Sequence, residues 1–155
     1  MSSAVAAQLA SIQAVAALDL PRAHALAEQL DATTTTANGE MHVDTLRVRE
    51  VRAYLVHLTG HHDTAVAWYL HVVRLHAGLH GANHEETALA VRRAYSMWKS
   101  LPNLDAVRLA DDLINAFAEV PSAGTEAVRR MREHMRSSHQ TAGGGGQECA
   151  ATPAG

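Results

Sequence analysis

The chain has 155 residues, a formal charge of -3 with histidine neutral, and 47% hydrophobic but only 4% aromatic residues. No basic block stands out, so the electrostatic footprint of a nucleic-acid binder is missing, and no apolar run reaches the roughly eighteen residues that a membrane helix needs. The one cysteine, Cys149, cannot form an intrachain disulfide, and Gln8, Ser11 and Gln13 interrupt the uncharged N-terminal stretch where a signal peptide would be apolar, so a soluble cytoplasmic protein is expected.

In chain order, a first helix is expected over residues 3–18. Leu20-Pro21 interrupts it, and Pro21 suits the start of a second helix over 21–31, because the N–H it lacks has no partner there. The β-branched run from Thr33 and the pair Asn38-Gly39 then read as a loop. A third helix is expected from Val43 to Thr59, with Gly60 where a C-terminal glycine cap belongs. The fourth opens at His62 or Asp63, lasts to His76 and stops near Gly78 and Gly81. The fifth spans 85–100, with Glu85 and Glu86 on its positive end, and Pro102 ends it. The sixth runs over 104–119, up to Pro121-Ser122. A last helix over 125–136 carries Arg129, Arg130, Arg132 and Arg136 and reads as a solvated cap. Residues 137–155, with glycine throughout 143–146, read as a disordered Gly-rich tail, leaving 1–136 as one helical domain.

The segments His42-Val43-Asp44-Thr45-Leu46 and His84-Glu85-Glu86-Thr87-Ala88 lie 42 residues apart, and each opens a helix. The same offset carries Gly60 onto Pro102, Asp63 onto Asp105, Val72 onto Ile114 and Leu75 onto Phe117. An earlier copy is visible in the N-terminal pair, with Leu18-Asp19 as its turn and Ala23, Ala27 and Leu30 on its second helix. A period of this size points to stacked helical units, each burying its apolar face on the next, and such stacks expose a curved surface suited to binding. The expected fold is all-α: three helical hairpins plus a C-terminal capping helix. Its best-packed part should lie between Tyr54 and Phe117, which bracket all six aromatic residues.

The stretch HVDTLRVR from His42, followed by Ala53, Gly60, Ala65 and Tyr69, resembles the long-period tetratricopeptide (TPR) repeats of the kinesin-light-chain-like type, also found in bacterial signalling and regulatory proteins. The likeness covers residues 42–101 well and the flanking pairs more weakly. Ala53 and Ala65 match the small residues where paired helices cross, Gly60 matches the turn glycine, and Tyr69 matches the groove-filling aromatic. Arg52 stands where a leucine is usual, and Pro102 replaces the turn glycine of the next unit. The resemblance implies a right-handed TPR-like helical-hairpin solenoid that binds protein segments on its concave face without catalysis. It also implies that the first helix of each pair lines that face, which selects Arg47, Glu50, Tyr54 and His57, and then Leu89, Arg92, Ser96 and Lys99. The 3-4-3 spacing of both sets independently places each on one helix face.

Other candidates reduce to structure. Trp68 and Trp98 are accounted for by packing, since burying one such side chain is worth roughly 1.5–3 kcal/mol. Of eleven histidines, His57/His61, His76/His80 and His80/His84 are spaced i, i+4, as zinc ligands on a helix are, but the first and third pairs straddle turns and no second cysteine or clustered carboxylate completes a set. His42 and His84, at equivalent positions, read as makers of a shared hydrogen bond in the loop. No nucleophile elbow, P-loop or dinucleotide glycine pattern is present, and Asp111-Asp112 with Asn115 read as surface acids.

The expected function is therefore a non-catalytic protein–protein interaction or adaptor module for a peptide or small domain, with no cofactor and no metal ligands assigned. The alternative is a ligand-sensing regulatory module whose groove binds a small molecule and controls a partner such as a transcription factor. The exposed end of the stack leaves room for a homo-oligomer.

Overall fold

Side-chain caps open four of the helices. Ser2 accepts from the Val5 N–H to open α1 (Ser3–Ala16), and Asp19 accepts from the Arg22 N–H to open α2 (Leu20–Asn38), which carries Pro21 in its first turn. Then follow α3 (Val43–Leu58), α4 (His62–His80), α5 (Glu85–Lys99), α6 (Asn103–Phe117) and α7 (Ala123–Gly144). The computed structural model describes residues 1–144, and among these all regular structure is α-helical. No helix among them is long and apolar enough to cross a membrane.

The 42-residue repeat is a repeated piece of loop wiring. Gly39 and Gly81 adopt φ of +83° and +94°, a left-handed backbone that a Cβ would strain. Three residues on, His42 Nδ1 accepts from the Asp44 N–H at 3.0 Å, and His84 Nδ1 accepts from the Glu86 N–H at 3.1 Å. Three further on, Thr45 Oγ1 donates to the Gly39 carbonyl at 2.7 Å and Thr87 Oγ1 to the Gly81 carbonyl at 2.8 Å, both hydroxyls fully buried. The loop hydrogen bond expected of His42 and His84 is thus present in both copies. Each threonine replaced by valine keeps its shape but orphans one carbonyl, so Thr45→Val and Thr87→Val should each cost about 1 kcal/mol. With no shared partners, their double variant should lose the sum in urea unfolding. A strongly non-additive result would mean that the two loops are not independent copies.

Several helices outrun their expected ends. α2 continues through the threonine run to Asn38 because Thr33 Oγ1 bonds back to the Gln29 carbonyl at 3.0 Å, Thr35 Oγ1 donates to Asp31 Oδ1 at 2.9 Å, and Thr34 is buried. Side-chain hydroxyls that bond to the preceding turn make β-branched residues acceptable there, so the loop expected from Thr33 onward is helix. α4 passes through Gly78 to His80. A Cβ at Gly78 would lie 2.8 Å from the sulfur of the exposed Met41 side chain, which would have to shift to admit it. α7 begins at Ala123 and runs to Gly144, eight residues past the expected end of the helical domain at 136; the remainder of the expected tail, 145–155, lies outside the described residues.

Connections of three to five residues fold each helix back on the one before. From α1 to α5 each helix packs on its sequence neighbour; α6 then lies chiefly on α7 and α4, and α5 takes α7 as its second neighbour. The apolar interior has two main parts. One joins α1, α2 and α3 through Val5, Leu9, Ile12, Ala27, Val48 and Leu55. The other joins α4 to α7 around Trp98, Phe117, Leu113 and Met131, all fully buried, which puts the largest core where the aromatics cluster. Asp63 and Asp105, equivalent across the repeat, share one cation, Arg108, at 3.2 and 3.1 Å.

Candidate interaction groove

Because α4 packs against both α3 and α5, the space beside those two helices becomes a groove with α4 beneath it. Its lining is Glu50, Val51 and Tyr54 from α3, Ala90 and Arg93 from α5, Tyr69 and Val72 from α4, and Gln13 from α1, enclosing about 350 Å³. Val72 is 3% exposed and forms apolar floor; Tyr54, 46% exposed, stands at the rim.

The polar groups of this groove are unequal. Glu50 is committed inward. It accepts from His76 Nε2 at 2.6 Å and from Arg47 at 2.9 Å. Burial pushes its carboxyl up, but the hydrogen bonds from His76 and Arg47 outweigh burial and hold it below the ordinary glutamate range. Arg93, by contrast, is exposed and has no carboxylate partner among the described residues. The Tyr69 phenol is pushed up by burial and by the charge of Glu50, against the pull of Arg93, so it stays an O–H donor at neutral pH. A guanidinium, a protonated phenol and the Gln13 amide thus offer donors around an apolar floor, with the one carboxylate already neutralised. Such an arrangement accepts an anionic group carried on an apolar body.

Of the residues expected on this face, Glu50 and Tyr54 line the groove. Arg47 is paired to Glu50 and is not part of the lining. His57 meets His62 at the α3–α4 turn, Nδ1 to Nδ1 at 3.1 Å. On α5, Arg92 pairs with Glu85 at 3.1 Å, Leu89, Ser96 and Lys99 are exposed, and none of the four lines the groove. The face of α5 that does is one residue further round, at Ala90 and Arg93. The signal was available: Ala90, Val91, Ala94 and Trp98 form the buried stripe of α5, and Arg93 flanks it.

On the other side of α3 a second polar assembly ties α2, α3 and α4 together. Asp31, 5% exposed, accepts from Arg52 at 2.7 Å and from Thr35 at 2.9 Å, with Arg49 Nε at 3.5 Å. Arg49 also donates to Glu40 at 2.5 Å and to His71 Nε2 at 2.6 Å, so His71 is the neutral acceptor; burial first, then the Arg49 charge, hold it below the ordinary histidine range. The Arg52 guanidinium lies 4.5 Å from the Trp68 ring centroid, which gives Trp68 a packing role. Among the described residues no group of three or more His, Cys, Asp or Glu is placed to hold a metal ion. No protein-family model, curated protein or solved structure matches the chain.

Proposed function

We propose that the protein is a cytoplasmic, non-catalytic adaptor, a TPR-like helical-hairpin solenoid of about three repeats and a capping helix, that takes an acidic protein segment in the groove between α3 and α5. The observation that carries this reading is Arg93, a cation without a carboxylate partner among the described residues, set beside Tyr54, Tyr69 and Gln13 over the apolar floor of Val72 and Ala90. The repeat architecture is supported by the recurrence of Gly-x-x-His-x-x-Thr wiring at a 42-residue interval and by the stepwise packing of α1 to α5.

The test is a panel of labelled peptides in which acidic residues alternate with apolar or aromatic ones. Binding of the retained sequences should weaken at least tenfold in Arg93→Glu, about 1.4 kcal/mol or more, and by a smaller factor in Tyr69→Phe. Arg92→Glu, one residue away but paired to Glu85, should change little. Equal losses at Arg92 and Arg93 would mean general electrostatic attraction, and unchanged binding in a folded Arg93→Glu would remove the groove from the account. The small-molecule reading draws on the volume of about 350 Å³, which suits a compact anionic ligand. In that case a ligand alone raises the melting temperature and Arg93→Glu abolishes the rise.

A further inference from the structure

The last turn of α4 carries His76 and His80 four residues apart, which sets both rings on one face of the helix. His76 is 2% exposed. A carboxylate only accepts, so its 2.6 Å contact with Glu50 Oε1 puts a proton on His76 Nε2, and in the neutral ring the lone pair is then on Nδ1. That Nδ1 is buried and meets no donor, and the Nε2 of His80 is likewise buried without a partner. Two neighbouring buried nitrogens with nothing to bond are an unfavourable arrangement that a shared ligand would resolve. The ring centroids stand 5.4 Å apart. Two imidazoles bound at about 2.0–2.1 Å to one tetrahedral ion would set their centroids at about 5.2 Å.

We propose that His76 and His80 form a binding site for a divalent transition-metal ion of the zinc class, held by His76 Nδ1 and His80 Nε2 with water at its remaining positions. Glu50 is then the carboxylate behind the metal-bound histidine, fixing its tautomer and raising its basicity. The partial negative charge of the α4 C-terminus favours a cation there, and the nearby Arg47 is offset by its pairing with Glu50. His84 stacks on His80 at 5.0 Å, but its Nδ1 caps α5, so the site is a pair, in keeping with the absence of any three-residue cluster among the described residues. The competing pair, His57 and His62 at the α3–α4 turn, already bond to each other.

The test uses tag-free, chelator-treated protein titrated with zinc chloride by calorimetry near neutral pH. One equivalent should bind, His80→Ala should weaken it at least tenfold, Glu50→Gln should weaken it about tenfold, and His57→Ala should leave it unchanged. Zinc should also raise the melting temperature of wild type but not of His80→Ala, a difference that a purely structural histidine would not produce. Circular dichroism of His80→Ala establishes that the variant is folded. Zinc binding unchanged in His80→Ala, lost instead in His57→Ala, or absent at one equivalent in wild type would each overturn the assignment.

Discussion

Replacing Trp98 by alanine is expected to remove about 4 kcal/mol of folding stability, a large share of the roughly 5–15 kcal/mol typical of a domain. Trp98 is fully buried where α5 meets α6 and α7. Its Nε1 donates to the Ala106 carbonyl at 2.8 Å, and its ring meets His134 edge-on at 5.3 Å and Tyr95 at 6.3 Å. Since α5 makes little other contact with α6, the indole and its hydrogen bond are the principal tie between these helices. Alanine leaves a cavity that three helices would have to collapse into, and it orphans the carbonyl as well. Trp98→Phe fills most of the volume and should cost about 1–2 kcal/mol, chiefly through the lost hydrogen bond. Urea unfolding followed by circular dichroism measures both. A loss below 2 kcal/mol for the alanine variant would show that α6 and α7 are held to the rest by other means.

Asp31→Ala is the second large effect, about 3 kcal/mol, because it strands two partly buried guanidiniums. The carboxylate is 7% exposed and faces Arg49 and Arg52, whose side chains are 13% and 25% exposed. Arg49 keeps Glu40 and His71, and Arg52 keeps Trp68, so the penalty falls at the low end of what breaking a buried pair costs. Burial pushes the Asp31 carboxyl up, but hydrogen bonds from Arg52 and Thr35 and the charges of Arg49 and Arg52 outweigh it and hold the group below its ordinary 3.8. A depressed folded pKa contributes stability that is fully present above the unfolded value and is lost as pH falls through the folded one. The gap between wild type and Asp31→Asn should therefore be constant above the ordinary aspartate range and shrink below it. A gap independent of pH down to acid unfolding would mean that the Asp31 charge does not stabilise the fold.

The sequence carried the loops better than the faces. His42 and Thr45, with their copies His84 and Thr87, were legible because every bond they make is within six residues, so their meaning survives without knowledge of the fold. The continuation of α2 through Thr33–Thr36 was not, because it depends on burial of Thr34 and on Asp31 being held in place by residues of α3. Arg52 stood out as a departure from the leucine expected there, yet its partner lies 21 residues earlier and its ring contact on the next helix, connections that no local pattern encodes. The groove was half legible: Glu50 and Tyr54 were among the residues that the resemblance selected, whereas Arg93 required the rotation of α5, which is set by what Trp98 and Ala94 bury.

The wiring around Gly39 and Gly81 also bears on how such a chain can change length. If residues 43–84 were cut out, His42 would join Glu85, and the new junction would read Gly39, His42, Thr87 in the original spacing, because both sides of the cut carry the same loop. Duplicating those 42 residues would likewise insert a further helix pair behind an unaltered connector. Each junction closes on itself, so in-frame gain or loss of a unit demands no new turn, only new neighbours for the helices on either side. The loop is in effect a coupling of fixed gauge, and it is the helix faces, with their salt bridges and histidines, that make each carriage individual.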